Sequence, residues 1–235
     1  MATKKKIKTK PEKKLLESSE ELAEKLSRTE QWVEDNKALV FSVLGAIVLG
    51  IGAALFYRYY MNNQDNIAQS EMFQAQYWFE ADSLDLALNG DGNNYGFLEV
   101  IDNYGKTKAG NLANFYAGVA YMKKGDFDNA ILHLNEFDAD DKLVQGRAYA
   151  LIGDAYMEKE EYDNAINFYG KAAAYHPSEY FTPKYLMKEA LAYEKLEDFD
   201  NAVASYDKII TKYSKSAEIQ DARKQKARIA SKAAK

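Results

Sequence analysis

Two histidines, His133 and His176, are the only imidazoles in 235 residues, and there is no cysteine. Without a thiol the chain has no disulfide scaffold, cysteine-ligated zinc, iron–sulfur cluster or thiol nucleophile. His133 falls within an apolar-periodic stretch and His176 directly precedes Pro177; the two belong to different repeats, and neither has a nearby pair of carboxylates arranged for metal ligation. The acidic stretch Asp82, Asp85, Asp91 invites a calcium reading. No register, however, supplies Asp or Asn at positions 1, 3 and 5, Gly at 6 and Glu at 12. A turn built from Asn89, Gly90, Asp91 and Gly92 accounts for that segment. Phosphate-loop, nucleophile-elbow and dinucleotide-binding glycine patterns are all missing. The expectation is a protein that is not an enzyme, with no catalytic residue, metal or cofactor.

The elements must therefore position a surface rather than a reaction. The composition, 47% hydrophobic and 29% charged, is that of a folded chain, and three prolines leave room for long helices. Self-similarity is the strongest signal. Phe127–Ala130 reads FDNA, Tyr162–Ala165 reads YDNA and Phe199–Ala202 reads FDNA, at spacings of 35 and 37 residues. In the same register stand Gly118, Gly153 and Ala190, then Tyr121, Tyr156 and Tyr193, and, four residues after each motif alanine, Leu134, Tyr169 and Tyr206. The small residues let two helices approach, and the large ones fill the remaining wedge. Ile67–Leu88 is expected to form a further helix, paired across LNGDGNN with a shorter one through Phe97, Val100 and Ile101 as a degenerate first repeat. Ala217–Ala234, rich in lysine and arginine, is expected to cap the array.

Ala38–Tyr57 reads ALVFSVLGAIVLGIGAALFY, twenty residues without a charge between Lys37 and Arg58. At about 1.5 Å per residue this spans a hydrocarbon core of about 30 Å. The 37 residues ahead of it are too long for the n-region of a cleaved leader, so a permanent signal anchor is expected. Lys25, Arg28 and Lys37 precede the span, whereas after Arg58 no basic residue occurs until Lys106. This asymmetry predicts a cytoplasmic N terminus and a C-terminal domain across the membrane. Ser42, Ala46, Gly50 and Ala54, with Gly45 beside them, make one flank of the span small enough for helix docking. The expected domains are 1–37, a cytoplasmic basic tail and amphipathic helix; 38–57, the anchor; and 58–235, the repeat domain.

Residues 1–14 carry seven lysines against one glutamate, a basic tail that enforces orientation or touches anionic lipid or the ribosome. Leu15, Leu16, Leu22, Leu26 and Trp32 recur at helical spacing, predicting an amphipathic helix over Leu15–Trp32. Residues 58–214 hold 14 basic and 26 acidic side chains, which disfavours nucleic acid as a partner of the domain; residues 215–235 hold seven basic and two acidic.

The motif set resembles the tetratricopeptide repeat (TPR), a helix pair of about 34 residues, and implies an all-α TPR superhelix of about three clear repeats plus the degenerate pair behind one transmembrane helix. Gly146–Ser178, with Ala172 and Pro177 in place, is the best match; the first repeat has Phe137 where alanine is expected, and the third has Ile209 and Ser214 at these two places. The resemblance implies a protein-binding groove lined by the first helix of each repeat: Leu112, Phe115, Val119 and Met122; Ala150, Asp154 and Met157; Met187, Leu191 and Glu194. Phe115 and Val119 stand where a carboxylate-clamp repeat needs Lys and Asn, so that activity is not expected. A largely apolar, methionine-containing groove suits a hydrophobic or helical ligand.

The order of elements over residues 15–235 resembles the membrane-anchored YfgM-like ancillary subunit of the bacterial Sec translocon. That resemblance implies a bacterial inner-membrane, single-pass protein with a periplasmic TPR domain, and as partners translocon subunits, translocating polypeptides or periplasmic chaperones. Two other readings are an envelope-assembly or cell-division adaptor, and a homo-oligomeric structural protein assembled through Leu15–Trp32 and the membrane helix.

Overall fold

The computed structural model describes residues 19–141 and 143–233, with side chains over residues 24–141 and 143–231. The basic tail, Leu15, Leu16 and the side chain of Leu22 lie outside the described residues, as does Ala234. Eleven α-helices and no strand occur among the described residues. The chain divides into two compact units, Met1–Tyr59 and Tyr60–Lys235.

In the first unit, α1 (Ser19–Asp35) is followed by the start of α2 (Lys37–Glu80). The amphipathic helix predicted to end at Trp32 runs on to Asp35, and the Asn36 side chain donates to the Trp32 carbonyl at 2.8 Å in the turn that follows. Salt bridges Arg28–Glu24 (2.7 Å) and Lys37–Glu34 (3.4 Å) join successive turns. No residue in the apolar part of α2 is buried within the protein, and α2 is long and apolar enough to cross a membrane. The hydroxyl of Ser42 there donates to the Leu39 carbonyl at 2.8 Å, so it needs no water.

The second unit is a stack of helix pairs. Here α2 does not stop at Tyr57: with no glycine or proline between Arg58 and Glu80, it continues unbroken, and the separate helix expected from Ile67 is its last part. Contrary to the sequence expectation, that helix also does not reach Leu88. It ends at Glu80, and a tight turn through Asp82 (φ 57°) leads into α3 (Leu84–Asn89). Then come α4 (Phe97–Tyr104), α5 (Lys108–Lys124), α6 (Phe127–Glu136), α7 (Val144–Glu158), α8 (Tyr162–Ala174), α9 (Thr182–Lys195), α10 (Phe199–Lys212) and α11 (Ile219–Ala233).

The break after Glu80 reveals the true first repeat. Its turn has the same two backbone bonds as the three clear repeats. The amide of Ser83 donates to Trp78, Asp126 to Tyr121, Glu161 to Tyr156 and Asp198 to Tyr193, at 2.8–3.0 Å. One residue earlier, Asp82, Gly125, Glu160 and Glu197 all take positive φ, between 57° and 76°. The register follows: Ala75, Trp78 and Ala87 occupy the places of Gly153, Tyr156 and Ala165, and Ala75 and Ala87 are fully buried. The degenerate pair is therefore α2 with α3, and α4 is an added helix, rather than the second member of the pair. Phe97 and Val100 of α4 are fully buried against this end of the stack.

The asparagine of the FDNA motif has a local task. Asn129, Asn164 and Asn201 donate back to the carboxylates of Asp126, Glu161 and Asp198 at 2.7–2.9 Å. Those acids precede the second helix of each pair, and Asp126 and Asp198 also accept its early amides. Close approach explains the glycines: a Cβ on Gly118 would stand 2.5 Å from Leu134 Cγ, and one on Gly153 2.6 Å from Tyr169 Cε1. At the far end α11 packs on α10, burying Ala222 and Ile229 while its charged face stays in solvent.

Candidate protein-binding surface

The expected groove residues lie on α5, α7 and α9, the first helices of the three clear repeats. On α5, Leu112, Phe115, Val119 and Met122 are half-buried. Phe115 packs against Phe137 with ring centroids 5.2 Å apart, and this explains the large residue at 137: the ring fills the space beside Leu112 and Phe115 that alanine would leave empty. On α7, Ala150 is buried, 4% exposed, inside the core shared with α9, so it offers little to a ligand. Met157 is half-buried beside Tyr169 and Ala192. On α9, Met187 is half-buried and Leu191 is 46% exposed, the most open of these positions.

The two carboxylates among them are already engaged. Asp154 accepts the Tyr169 hydroxyl at 2.7 Å, and Lys188 Nζ reaches its two oxygens at 2.7 and 2.6 Å. Glu194 accepts the Tyr206 hydroxyl at 2.8 Å and pairs with Arg228 of α11; its side chain is 10% exposed. Burial, reinforced by the adjoining carboxylate, pushes the Tyr169 hydroxyl far above its ordinary range and does the same, less strongly, to Tyr206. Both tyrosines thus remain donors throughout the physiological range. The homologous tyrosines choose acids one helical turn apart, because Leu191 stands at the Asp154 position of the third repeat and Met157 at the Glu194 position of the second.

Lys188 and Arg228 were not singled out in the sequence. Each lies 34 residues after its acid, one repeat length. An acid–base pair at that separation was the legible signal, but only stacking shows that the side chains meet.

Neither histidine gathers ligands. His133 Nδ1 lies 3.0 Å from Asn114 Oδ1, and its ring stacks on Tyr121 at 5.5 Å; burial pushes its pKa down. His176 sits at φ 46° in the α8–α9 turn. No group of three or more potential ligands capable of holding a metal occurs among the described residues. In the first unit Ser42, Gly45, Ala46, Gly50 and Ala54 are all exposed, and a Cβ added to Gly45 or Gly50 would meet nothing within 4 Å.

Comparison with known proteins agrees with this geometry. A tetratricopeptide-repeat family model matches residues 150–217, from within α7 to beyond α10. Among solved structures, the chain is similar to a Podosopora anserina kinesin light chain described as having nearly identical TPR-like repeats. The identity is 15% and the TM-score 0.51, over 68% of this chain and 84% of that one. No curated protein matches. The chain accordingly has an all-helical, TPR-like repeat fold, an architecture that serves as a protein-interaction scaffold.

Proposed function

We propose that this protein is a non-catalytic scaffold of the Sec export machinery. Residues 38–57 anchor it in the bacterial inner membrane with the N terminus cytoplasmic, and the domain of residues 58–235 binds exported polypeptides or their chaperones in the periplasm. The observation that carries this reading is the internal pairing of Asp154 with Lys188 and of Glu194 with Arg228. With these charges matched, the face carrying Val119, Met122, Met157, Met187 and Leu191 meets a ligand through aliphatic and thioether groups. Such a face suits unfolded or helical apolar segments of varied sequence. The small flank of the anchor supports lateral docking on a membrane partner.

The test is photo-crosslinking in cells from two positions, Leu191 on α9 and Gly50 in the anchor. Adducts of Leu191 with exported polypeptides or periplasmic chaperones, together with adducts of Gly50 with translocon subunits, are expected. Adducts confined to cell-wall or division proteins would move the function to an envelope adaptor.

A further inference from the structure

In the second unit a cavity of about 470 Å³ opens between α2 and the turn that joins α4 to α5. Tyr60 and Gln64 line it from α2, and Asp102, Tyr104 and Lys106 from the other side. That other side is held in place. Asp65 of α2 accepts the Ala109 amide at 2.8 Å, which ties the first turn of α5 to α2. Within the turn, the Thr107 hydroxyl accepts the Gly110 amide at 3.0 Å and donates to the Tyr104 carbonyl at 2.8 Å. Gly110 has to be glycine, since a Cβ there would collide with the same carbonyl. The cavity is therefore built before any ligand arrives, which lowers the cost of binding. Because Asp65 and Thr107 already occupy the amides of Ala109 and Gly110, the start of α5 is not the binding group. The side-chain charges are.

Asp102 and Lys106 both line the cavity and both are exposed, and among the described residues neither enters an ion pair. A ligand that answers a fixed anion and a fixed cation is itself a zwitterion: a phosphodiester for Lys106 and a primary ammonium for Asp102. An anion alone would leave Asp102 opposed to it, and a cation alone would do the same to Lys106. The place in the chain names the source. Tyr60 follows Tyr57, the last residue of the apolar span, by three residues, so no path of the chain takes it farther than about 11 Å from the end of the span. The headgroup layer outside the hydrocarbon is about 5–7 Å deep. We propose that this cavity binds the headgroup of a zwitterionic phospholipid of the ethanolamine class, with Lys106 on the phosphodiester and Asp102 on the ammonium.

The site rests on the anchor reading and is independent of the Sec assignment. The experiment reconstitutes the full chain in vesicles of equal phosphatidylethanolamine and phosphatidylglycerol, checks flotation with the vesicles, and counts retained lipid by native mass spectrometry. The parent is expected to float and to retain one ethanolamine lipid at least fivefold over the glycerol lipid. Lys106→Gln is expected to lower that retention at least fivefold. Asp102→Asn, which removes the partner of the ammonium and leaves Lys106 in place, is expected to retain the two lipids equally. Both side chains are exposed, so neither change should alter the melting temperature. A parent that floats but retains both lipids equally, or variants that retain lipid as the parent does, would overturn the site and leave the anchor reading standing. A parent that does not float would remove the anchor reading and the lipid source together. Binding of soluble glycerophosphoethanolamine to the chain in detergent, with no lipid retained, would give the cavity to a soluble phosphodiester and overturn the lipid.

Discussion

Lys188 on α9 holds both carboxylate oxygens of Asp154 on α7, at 2.7 and 2.6 Å, across one repeat length of chain. The same acid accepts the hydroxyl of Tyr169, whose ring is 2% exposed. The two interactions differ in cost when broken. Lys188 is 43% exposed at its side chain, so losing it leaves water to solvate Asp154, whereas losing Asp154 leaves a nearly buried hydroxyl without its acceptor. Asp154→Ala should therefore destabilise by about 1–3 kcal/mol and Lys188→Ala by less than about 1 kcal/mol. Thermal unfolding of the full chain in detergent checks the order, and Asp154→Asn, which keeps the acceptor, should fall between them.

Gly153→Ala should cost about 1–3 kcal/mol, because the added methyl would stand 2.6 Å from the Tyr169 ring and force α7 and α8 apart. Gly50→Ala, where the new atom meets nothing within 4 Å, serves as the matched control. Equal melting temperatures for the two variants would contradict the packing described.

Glu160 and Glu197 occupy the left-handed turn that Gly125 fills in the first clear repeat. Glu160→Gly and Glu197→Gly should each remove about 1 kcal/mol of backbone strain. Among the described residues, neither glutamate side chain enters a hydrogen bond or ion pair that the change would sacrifice. Chemical denaturation should show higher midpoints for both; lower midpoints would assign the carboxylates a further role.

His133 supplies a pH dependence. Burial holds its pKa below the ordinary 6.5, partly opposed by Glu136 and Asp102. The unfolded chain then takes up a proton near pH 6.5 that the folded chain refuses, so the unfolded state binds more protons and stability falls as pH drops from about 7 to 5. His133→Gln, which retains a partner for Asn114, should flatten the dependence of melting temperature on pH over that interval; an unchanged slope would assign it to other groups.

Leu191→Glu tests the binding face without touching the core, since Leu191 is 46% exposed. It should leave the unfolding free energy within about 0.5 kcal/mol of the parent and weaken capture of an apolar helical peptide at least tenfold. Undiminished binding, measured by fluorescence anisotropy, would remove this face from the interaction.

The repeat period, the apolar span and the absence of reactive thiols were all readable in the residues themselves, because each depends on local composition or on spacing along one helix. The FDNA motifs marked three repeats correctly, and the small residues Gly118 and Gly153 stand against Leu134 and Tyr169 as their register implied. What the sequence concealed was the first repeat. Leu84-Asp85-Leu86-Ala87 keeps the aspartate and alanine of the motif but not its aromatic or its asparagine, and the added α4 stretches the next interval to 43 residues. Only the turn at Asp82–Ser83, with bonds identical to the later ones, identifies it. The fate of the binding-face carboxylates was likewise a tertiary matter. Asp154 and Glu194 look available on an isolated helix, but stacking brings Tyr169, Lys188, Tyr206 and Arg228 to them from other helices. Helical periodicity is a property of a few neighbouring residues, whereas charge pairing across a stack depends on where the next repeat comes to rest.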